Sequence, residues 1–212
     1  MIRQMAKPEF LQKLGVFVVR DFFDPYQCAQ LCAEIGAASY KPATVLETAE
    51  EGYVLDENFR KVLRAEPSQF AEALVASRLD ELKPKLEEHF QITLAGCNEP
   101  QFLRYEPGGF FRLHPDMGPD APPHVAARRV SVVIFLNAPS EKPSPGCYGG
   151  GALRFHGLLS GPRWGNCAFS LEAEPGLLVA FKSTVLHEVL PVTFGERMTV
   201  ATWFSNRRKC SC

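Results

Sequence analysis

Residues 129–136, Arg-Val-Ser-Val-Val-Ile-Phe-Leu (RVSVVIFL), form a run of β-branched and aromatic side chains that predicts a strand. Four further short runs of this kind lie between Gly- and Pro-containing turns in the second half of the chain: Gln101–Tyr105, Ala152–Phe155, Leu177–Phe181 and Met198–Phe204. Many short strands separated by glycine turns are typical of a β-sandwich or barrel, of which the double-sheet jelly roll is one form. We therefore expect a β core over about residues 99–206.

The N-terminal part, about residues 1–98, is predicted to be mainly helical and to pack on this core. Asp24-Pro25 combines an N-cap residue with proline at the first helical position, so a helix is expected to run to about Ala38. A second helical pattern extends from about Ser68 to Phe90, and Pro84 is expected to kink that helix or to begin a new one. The expected architecture is α+β, with helices outside a β core.

Two other segments complete the N-terminal part. Val16–Val19 is a short β-branched run that predicts a strand. Residues from about 39 to 58 follow neither a helical nor a strand period, so a long loop is expected there. Loops of this length in a compact domain are usually functional lids or disordered.

Composition and length limit the possible classes of protein. A chain of 212 residues with 46% hydrophobic residues fits a single domain with a normal core. The 23 basic and 24 acidic residues give a net charge of −1, which argues against a nucleic-acid partner. Neither a run of 18 apolar residues nor an N-terminal signal pattern is present, so neither a membrane segment nor secretion is expected.

The cysteines agree with a cytoplasmic location. The chain holds seven, an odd number without CxxC spacing, and a disulfide framework is therefore not expected. Cys210 and Cys212 are interpreted as part of an exposed C-terminal tail without a role of their own, and a metal or redox role is the alternative.

Three residues of the β half form a candidate metal site. In an extended His114-Pro115-Asp116 segment, the imidazole and the carboxylate project to the same side and can reach one ion. His187 follows the buried-looking strand Leu177–Phe181 and can supply a third ligand. Two histidines and one carboxylate on one face of an ion leave the opposite positions open, which is the facial triad of non-haem Fe(II) oxygenases.

Arg197 lies ten residues after His187, at the start of the last predicted strand. A buried arginine is costly unless an anion meets it, and its planar guanidinium fits a carboxylate through two hydrogen bonds. If this side chain points into the core, a dicarboxylate could join it to the metal, as 2-oxoglutarate would.

Other classes of protein remain open at this point. A zinc hydrolase could use the same three ligands, but it would also need a general base, and Arg197 would have no role. A jelly-roll binding module without enzymatic activity would explain the fold but not the triad.

The order of motifs resembles the prolyl 4-hydroxylase-like branch of the 2-oxoglutarate/Fe(II)-dependent dioxygenases. The resemblance rests on HPD at 114–116, GGALRF at 150–155, PGLLVAF at 175–181, LHEVLP at 186–191 and GER at 195–197. It covers roughly Gln101 to Phe204. It implies a double-stranded β-helix (jelly-roll) core and hydroxylation of a C–H bond, with succinate and carbon dioxide as coproducts. The cofactors implied are Fe(2+), 2-oxoglutarate and O2, with ascorbate as an optional reductant.

The resemblance also implies a role for individual residues. His114, Asp116 and His187 match the iron ligands, and Arg197 matches the residue that binds the distal carboxylate of 2-oxoglutarate. Tyr105 matches a tyrosine that lines the cosubstrate pocket. Collagen-type prolyl hydroxylases usually have lysine at the position of Arg197, so this chain departs from them there.

The substrate is expected from the resemblance to be a prolyl residue in a peptide or protein, and a free amino acid or other small metabolite is the alternative. Segment 39–58 is then expected to act as a mobile lid. Ala138–Gly149 and Gly157–Ala173 are longer than a bare core needs and are expected to contribute to a substrate surface. The oligomeric state is not predicted.

Overall fold

The computed structural model of the protein describes residues 4–48, 52–118, 121–159, 161 and 167–206. The helices are α1 (Pro8–Gln12), α2 (Pro25–Ala37), α3 (Gln69–Phe90) and α4 (Pro123–Ala126). The strands before residue 99 are β1 (Gln4–Ala6), β2 (Phe17–Val19), β3 (Ser39–Pro42), β4 (Val45–Thr48), β5 (Gly52–Val54), β6 (Arg60–Lys61), β7 (Leu63–Glu66) and β8 (Leu94–Cys97). The later strands are β9 (Gln101–Tyr105), β10 (Phe110–His114), β11 (Arg128–Phe135), β12 (Gly149–Gly150), β13 (Leu153–His156), β14 (Ala168–Leu171), β15 (Leu178–Lys182), β16 (His187–Val189), β17 (Val192–Phe194) and β18 (Arg197–Asn206).

Two large sheets form the β core. One has six strands in the order β1-β14-β13-β16-β10-β6. The other has eight strands, with β2-β15-β11-β18-β9-β7-β3 in order and β8 paired to the far end of β18. Two short pairs, β12-β17 and β4-β5, complete the described strands. The two sheets with their few helices fit the predicted α+β jelly roll.

The central strands of the eight-stranded sheet are apolar on both faces because both faces are covered. In β11, Val130, Val132 and Ile134 belong to a core cluster that also contains side chains of α2 and α3. Phe135 points the other way, into a second cluster that it shares with Phe155 and other residues of the six-stranded sheet. A strand that is buried on both faces has a continuous apolar sequence, which explains RVSVVIFL.

The predicted regular elements are confirmed with small shifts in their ends. All five β runs of the second half are strands, and the run at 16–19 is β2. Helix α2 begins at a capping box between Asp24 and Gln27. Helix α3 begins after the N-cap Ser68 and continues through Pro84, so no new helix starts there.

The prediction of a long loop at 39–58 was wrong. Strand β3 pairs with β7 at the edge of the eight-stranded sheet, and β4 forms a hairpin with β5. Along β3 only Tyr40 is partly buried, so the sequence lacks the alternation that marks a strand with one buried face. The part before residue 99 also contains the short strands β1–β8 beside its three helices, and of these strands the sequence predicted only β2.

The remaining sequence predictions concern two long connecting segments and the C-terminal cysteines. Ala138–Gly149 contains an isolated bridge between Pro139 and Tyr148. Gly157–Ala173 contains strand β14, and part of it lies outside the described residues. Cys210 and Cys212 also lie outside them. None of the helices in the described part of the chain is long and apolar enough to cross a membrane.

Candidate active site

The three predicted metal ligands lie together at one end of a strand pair. Strand β10 ends at His114, β16 begins at His187, and the two residues are direct partners in the antiparallel pairing. Asp116 follows β10 by two residues. One ligand atom from each of the three side chains lies within 4.8 Å of the others.

The hydrogen bonds of the two imidazoles determine which nitrogen is free. Nδ1 of His114 is 2.6 Å from the carbonyl of Arg112, and Nδ1 of His187 is 2.9 Å from the carbonyl of Val185. A carbonyl only accepts hydrogen bonds, so each Nδ1 carries the proton and each Nε2 presents a lone pair. The two Nε2 atoms lie 3.7 and 3.5 Å from the carboxylate oxygens of Asp116.

Three lone-pair donors that face one another need a cation between them. Within the described ranges, the buried Nε2 of His114 has no hydrogen-bond partner. Two neutral imidazoles fixed through Nδ1, together with one carboxylate, are a donor set that suits Fe(2+). The residues therefore fit the metal that the sequence predicts.

Burial and charge favour the protonation states that bind a metal. Burial, followed by repulsion from His187, lowers the pKa of His114 to about 3, so this imidazole stays neutral. Burial raises the pKa of Asp116, but the electrostatic effects of His187 and His114, and then those of Ser131 and Trp203, outweigh it and lower the pKa overall. The carboxylate is accordingly ionised.

Asp116 is positioned by residues that the sequence did not reveal as functional. The Ser131 hydroxyl and the Trp203 indole are close enough to its carboxyl group to lower its pKa. Its backbone N–H donates to the carbonyl of Ser183 at 2.9 Å, and the Ser131 and Ser183 hydroxyls are 3.0 Å apart. Ser131 was the available signal, because it is a polar residue inside the apolar run of β11. Trp203 gave no signal, because a tryptophan there is also a normal core residue.

Arg197 is buried inside the jelly roll, with 1% of its surface exposed. Nη1 donates to the Thr199 hydroxyl at 3.3 Å, and the charge of Arg197 partly offsets the effect of burial, which raises the pKa of the nearby Tyr148. Its Nε and Nη2 atoms have no hydrogen-bond partner among the described residues. A buried guanidinium with free N–H groups fits a carboxylate.

Gly151 makes room for this arginine. A Cβ atom at Gly151 would lie 2.8 Å from Cδ of Arg197, and the glycine has a positive φ of +60° that other residues rarely adopt. The glycine at the end of the Gly149–Gly151 turn therefore leaves the space that the Arg197 side chain occupies.

One cavity joins the triad to Arg197. Its lining includes His114, Asp116, His187, Arg197 and Tyr105, and it encloses about 470 Å³ including its open mouth. Tyr105 is buried and its ring lies under the guanidinium, with 4.9 Å between Cζ of Arg197 and the ring centroid. All five predicted site residues are thus brought to one cavity.

The cavity also contains a second buried arginine, which the sequence did not predict. Arg60 of β6 is 8% exposed and lines the same space. Its guanidinium lies 4.6 Å from the centroid of the Phe111 ring, which stacks on His114 with 3.6 Å between ring centroids. The two-residue strand β6 carries no sequence period, so only tertiary structure shows that Arg60 is buried.

Comparisons with known proteins agree with this arrangement. Residues 100–205, half of the chain, match the sequence model of the 2OG-Fe(II) oxygenase superfamily. A PKHD-type hydroxylase of Sphingopyxis alaskensis is 35% identical over 108 residues, which are 50% of this chain and 44% of the relative. The chain spans less than half the length of the curated relatives that it matches.

Solved structures show the same fold over most of the chain. A Pseudomonas putida prolyl-4-hydroxylase matches with a TM-score of 0.69 and 27% identity, covering 94% of this chain and 96% of that one. A Trichoplax adhaerens prolyl hydroxylase, in complex with a peptide fragment of the hypoxia inducible factor oxygen degradation domain, has a TM-score of 0.70. It is 18% identical and covers 93% of this chain and 86% of that one, a likeness that shows the fold alone. The chain belongs to the 2OG-Fe(II) oxygenase superfamily, whose chemistry uses Fe(2+), 2-oxoglutarate and O2.

Proposed function

We propose that the protein is an Fe(II)- and 2-oxoglutarate-dependent dioxygenase that hydroxylates a prolyl residue in a peptide or protein. Succinate and carbon dioxide are the coproducts. Membership of the superfamily supports the cofactors, and the similarity to PKHD-type hydroxylases and to the P. putida prolyl-4-hydroxylase supports the prolyl substrate. A peptide is also the partner of the T. adhaerens prolyl hydroxylase.

In this proposal each site residue has one task. His114, Asp116 and His187 hold the iron, which supplies the oxidising power for C–H hydroxylation when it is bound. Arg197 binds the distal carboxylate of 2-oxoglutarate, and Tyr105 forms the wall beside it. The surrounding apolar side chains exclude water from the reaction.

One observation carries the proposal: three lone-pair donors converge in the same cavity as a buried arginine with unpaired N–H groups. A bound metal would accept the three lone pairs, and a dicarboxylate bound to that metal would accept hydrogen bonds from the arginine. A zinc hydrolase would leave Arg197 without a role, and a non-enzymatic jelly-roll metal-binding module would use the triad but not Arg197. Hydroxylation of a free amino acid remains the alternative substrate class within the same chemistry.

Two measurements test the proposal in sequence. Anaerobic addition of Fe(2+) and 2-oxoglutarate is expected to produce the weak visible absorption band of a metal-chelated keto acid. Prolyl peptides are then screened, with ascorbate present, for succinate release and for a hydroxylated product by mass spectrometry. Absence of the band contradicts the dioxygenase, whereas the band without any hydroxylated peptide contradicts the prolyl substrate.

We further propose supporting roles for the other parts of the chain. The whole chain acts as one oxygenase domain, in which residues 4–98 support the jelly roll through α2 and α3. The hairpin of β4 and β5 is a lid, and the segments 138–149 and 157–173 contribute to the substrate surface. The location is cytoplasmic, which the free thiols of the described cysteines support.

A further inference from the structure

Arg60 is a positive charge in the active-site cavity that neither the metal ligands nor the cosubstrate residue explains. It is buried on β6, beside the strand that carries His114. Nη1 donates to the carbonyl of Thr44 at 3.0 Å and Nη2 donates to the Gln101 side-chain oxygen at 3.2 Å. Both acceptors are neutral, so they fix the orientation of the guanidinium without cancelling its charge.

Part of the hydrogen-bonding capacity of Arg60 is unused in the described part of the chain. Nε has no partner within the described ranges, and the two known contacts use two of the five N–H groups of a guanidinium. Burial lowers the pKa of Arg60, against the attraction of Tyr105 and Asp116, because the charge has lost its hydration. A buried charge in this state is costly unless an anion pairs with it.

The charged side chains that line the cavity carry a net positive charge. Among the described residues that line it, the charged side chains are Arg60, Asp116 and Arg197. With the proposed ligands bound, the two positive charges of iron cancel the two carboxylates of 2-oxoglutarate, and Asp116 cancels Arg197. The charge of Arg60 is left over, and a single carboxylate would neutralise it.

We propose that Arg60 binds a carboxylate of the substrate and so makes the enzyme selective for an acidic group close to the hydroxylated residue. This inference rests on the proposed function and specifies its substrate class. The carboxylate has two possible sources in a prolyl peptide: the C-terminal carboxylate of the proline itself, or the acidic side chain of a neighbouring residue. Phe111 supports the recognition, because its ring holds the guanidinium plane against the metal-binding strand.

The experiment measures binding, so it does not depend on turnover. The full chain is loaded with Mn(2+) and 2-oxoglutarate under nitrogen, and two matched pairs of probes are titrated by calorimetry. N-acetyl-proline against N-acetyl-prolinamide tests the C-terminal source. N-acetyl-Pro-Glu-amide against N-acetyl-Pro-Gln-amide tests the side-chain source.

In at least one pair the acid is expected to bind about tenfold or more tightly than its neutral partner, the effect of one hydrogen-bonded charge. Arg60→Gln is expected to abolish this difference, and Arg60→Lys to keep part of it because the charge is retained. Lys61→Gln is the matched control, since Lys61 is the exposed neighbour on the same strand and should leave the preference unchanged.

Several outcomes would overturn the proposal. Equal binding of acid and neutral probe to the wild-type protein in both pairs contradicts it without any variant, as does binding of neither member of either pair. If a folded Arg60→Gln protein still prefers the acidic probe, another residue causes the preference. Acid-selective binding without a hydroxylated product contradicts the prolyl function alone, whereas hydroxylation of acid and neutral peptides at equal rates contradicts the role of Arg60 alone.

Discussion

The imidazole rings of His114 and His187 lie with their centroids 4.4 Å apart, on residues that are direct partners across β10 and β16. The antiparallel pairing therefore fixes the distance between two metal ligands that are far apart in the sequence. Each ring is fixed in orientation by its Nδ1 hydrogen bond to a backbone carbonyl. The site is thus preformed by backbone geometry, and side-chain rearrangement on metal binding should be small.

Replacing His187 by alanine is expected to abolish stoichiometric Fe(2+) binding and turnover, because two remaining ligands cannot complete the facial triad. Metal content after anaerobic loading and desalting measures the first effect, and succinate release measures the second. His89→Ala is the control, since His89 is an exposed histidine on α3. Full activity of His187→Ala would rule out the proposed ligand set.

Replacing Arg197 by alanine is expected to weaken 2-oxoglutarate binding by about a hundredfold or more. The lost contact is a buried charge pair, for which removal of one partner costs on the order of 2–5 kcal/mol. Iron should still bind, because Arg197 is not a ligand. Titration of the anaerobic absorption band gives the dissociation constant directly.

The control for Arg197 is Arg154→Ala. Arg154 is a partly buried arginine of β13 that pairs with Glu188 at 3.3 Å and does not belong to the cavity lining. The Arg154→Ala substitution should leave the dissociation constant of 2-oxoglutarate unchanged. If Arg197→Ala also leaves it unchanged, the cosubstrate is held elsewhere or is another compound.

Trp203→Phe tests the positioning of Asp116. The substitution keeps an aromatic ring but removes the indole N–H, which helps to lower the pKa of the carboxyl group. Metal affinity is expected to fall about tenfold or more, as for other lost partners of metal ligands. Competition with a chelator of known affinity measures it.

Ser205→Ala provides the comparison for Trp203, because Ser205 is on the same strand but hydrogen-bonds to Asn98 at 3.1 Å. Its metal affinity should equal that of the wild type. A purely structural role of Trp203 would lower the melting temperature of Trp203→Phe without changing its metal affinity.

Shortening the hairpin at residues 45–54 to a Gly/Ser bridge tests the lid. The flanking strand β3 and its pairing with β7 remain in this variant. Iron and 2-oxoglutarate should still bind, while hydroxylation falls and more succinate is released per product, because the open site admits water. If the shortened protein hydroxylates its substrate at the normal rate, with the normal amount of succinate per product, the hairpin is only a connector and the lid proposal is wrong.

The sequence reveals the parts of the site whose chemistry is local. His114-Pro115-Asp116 is short enough for strand alternation to place two ligands on one side, and the β runs are apolar because both faces of their sheet are buried. Arg60 could not be predicted in the same way. It lies in a two-residue strand, and its burial depends on β10, Phe111 and Gln101, which are distant in the chain. Strand β3 was missed for the opposite reason, since an exposed edge leaves no apolar pattern.

The pairing of β10 with β16 also determines when the metal site forms during folding. Contacts between strands so distant in sequence form only after the long intervening segment has closed into a loop. The three ligands come together only when residues 114–187 have folded. The unfolded chain therefore has little affinity for the metal, and metal binding adds to the stability of the completed sheet. Iron is expected to slow unfolding more than it accelerates folding, because it binds ligands that only the completed pairing of β10 with β16 brings together.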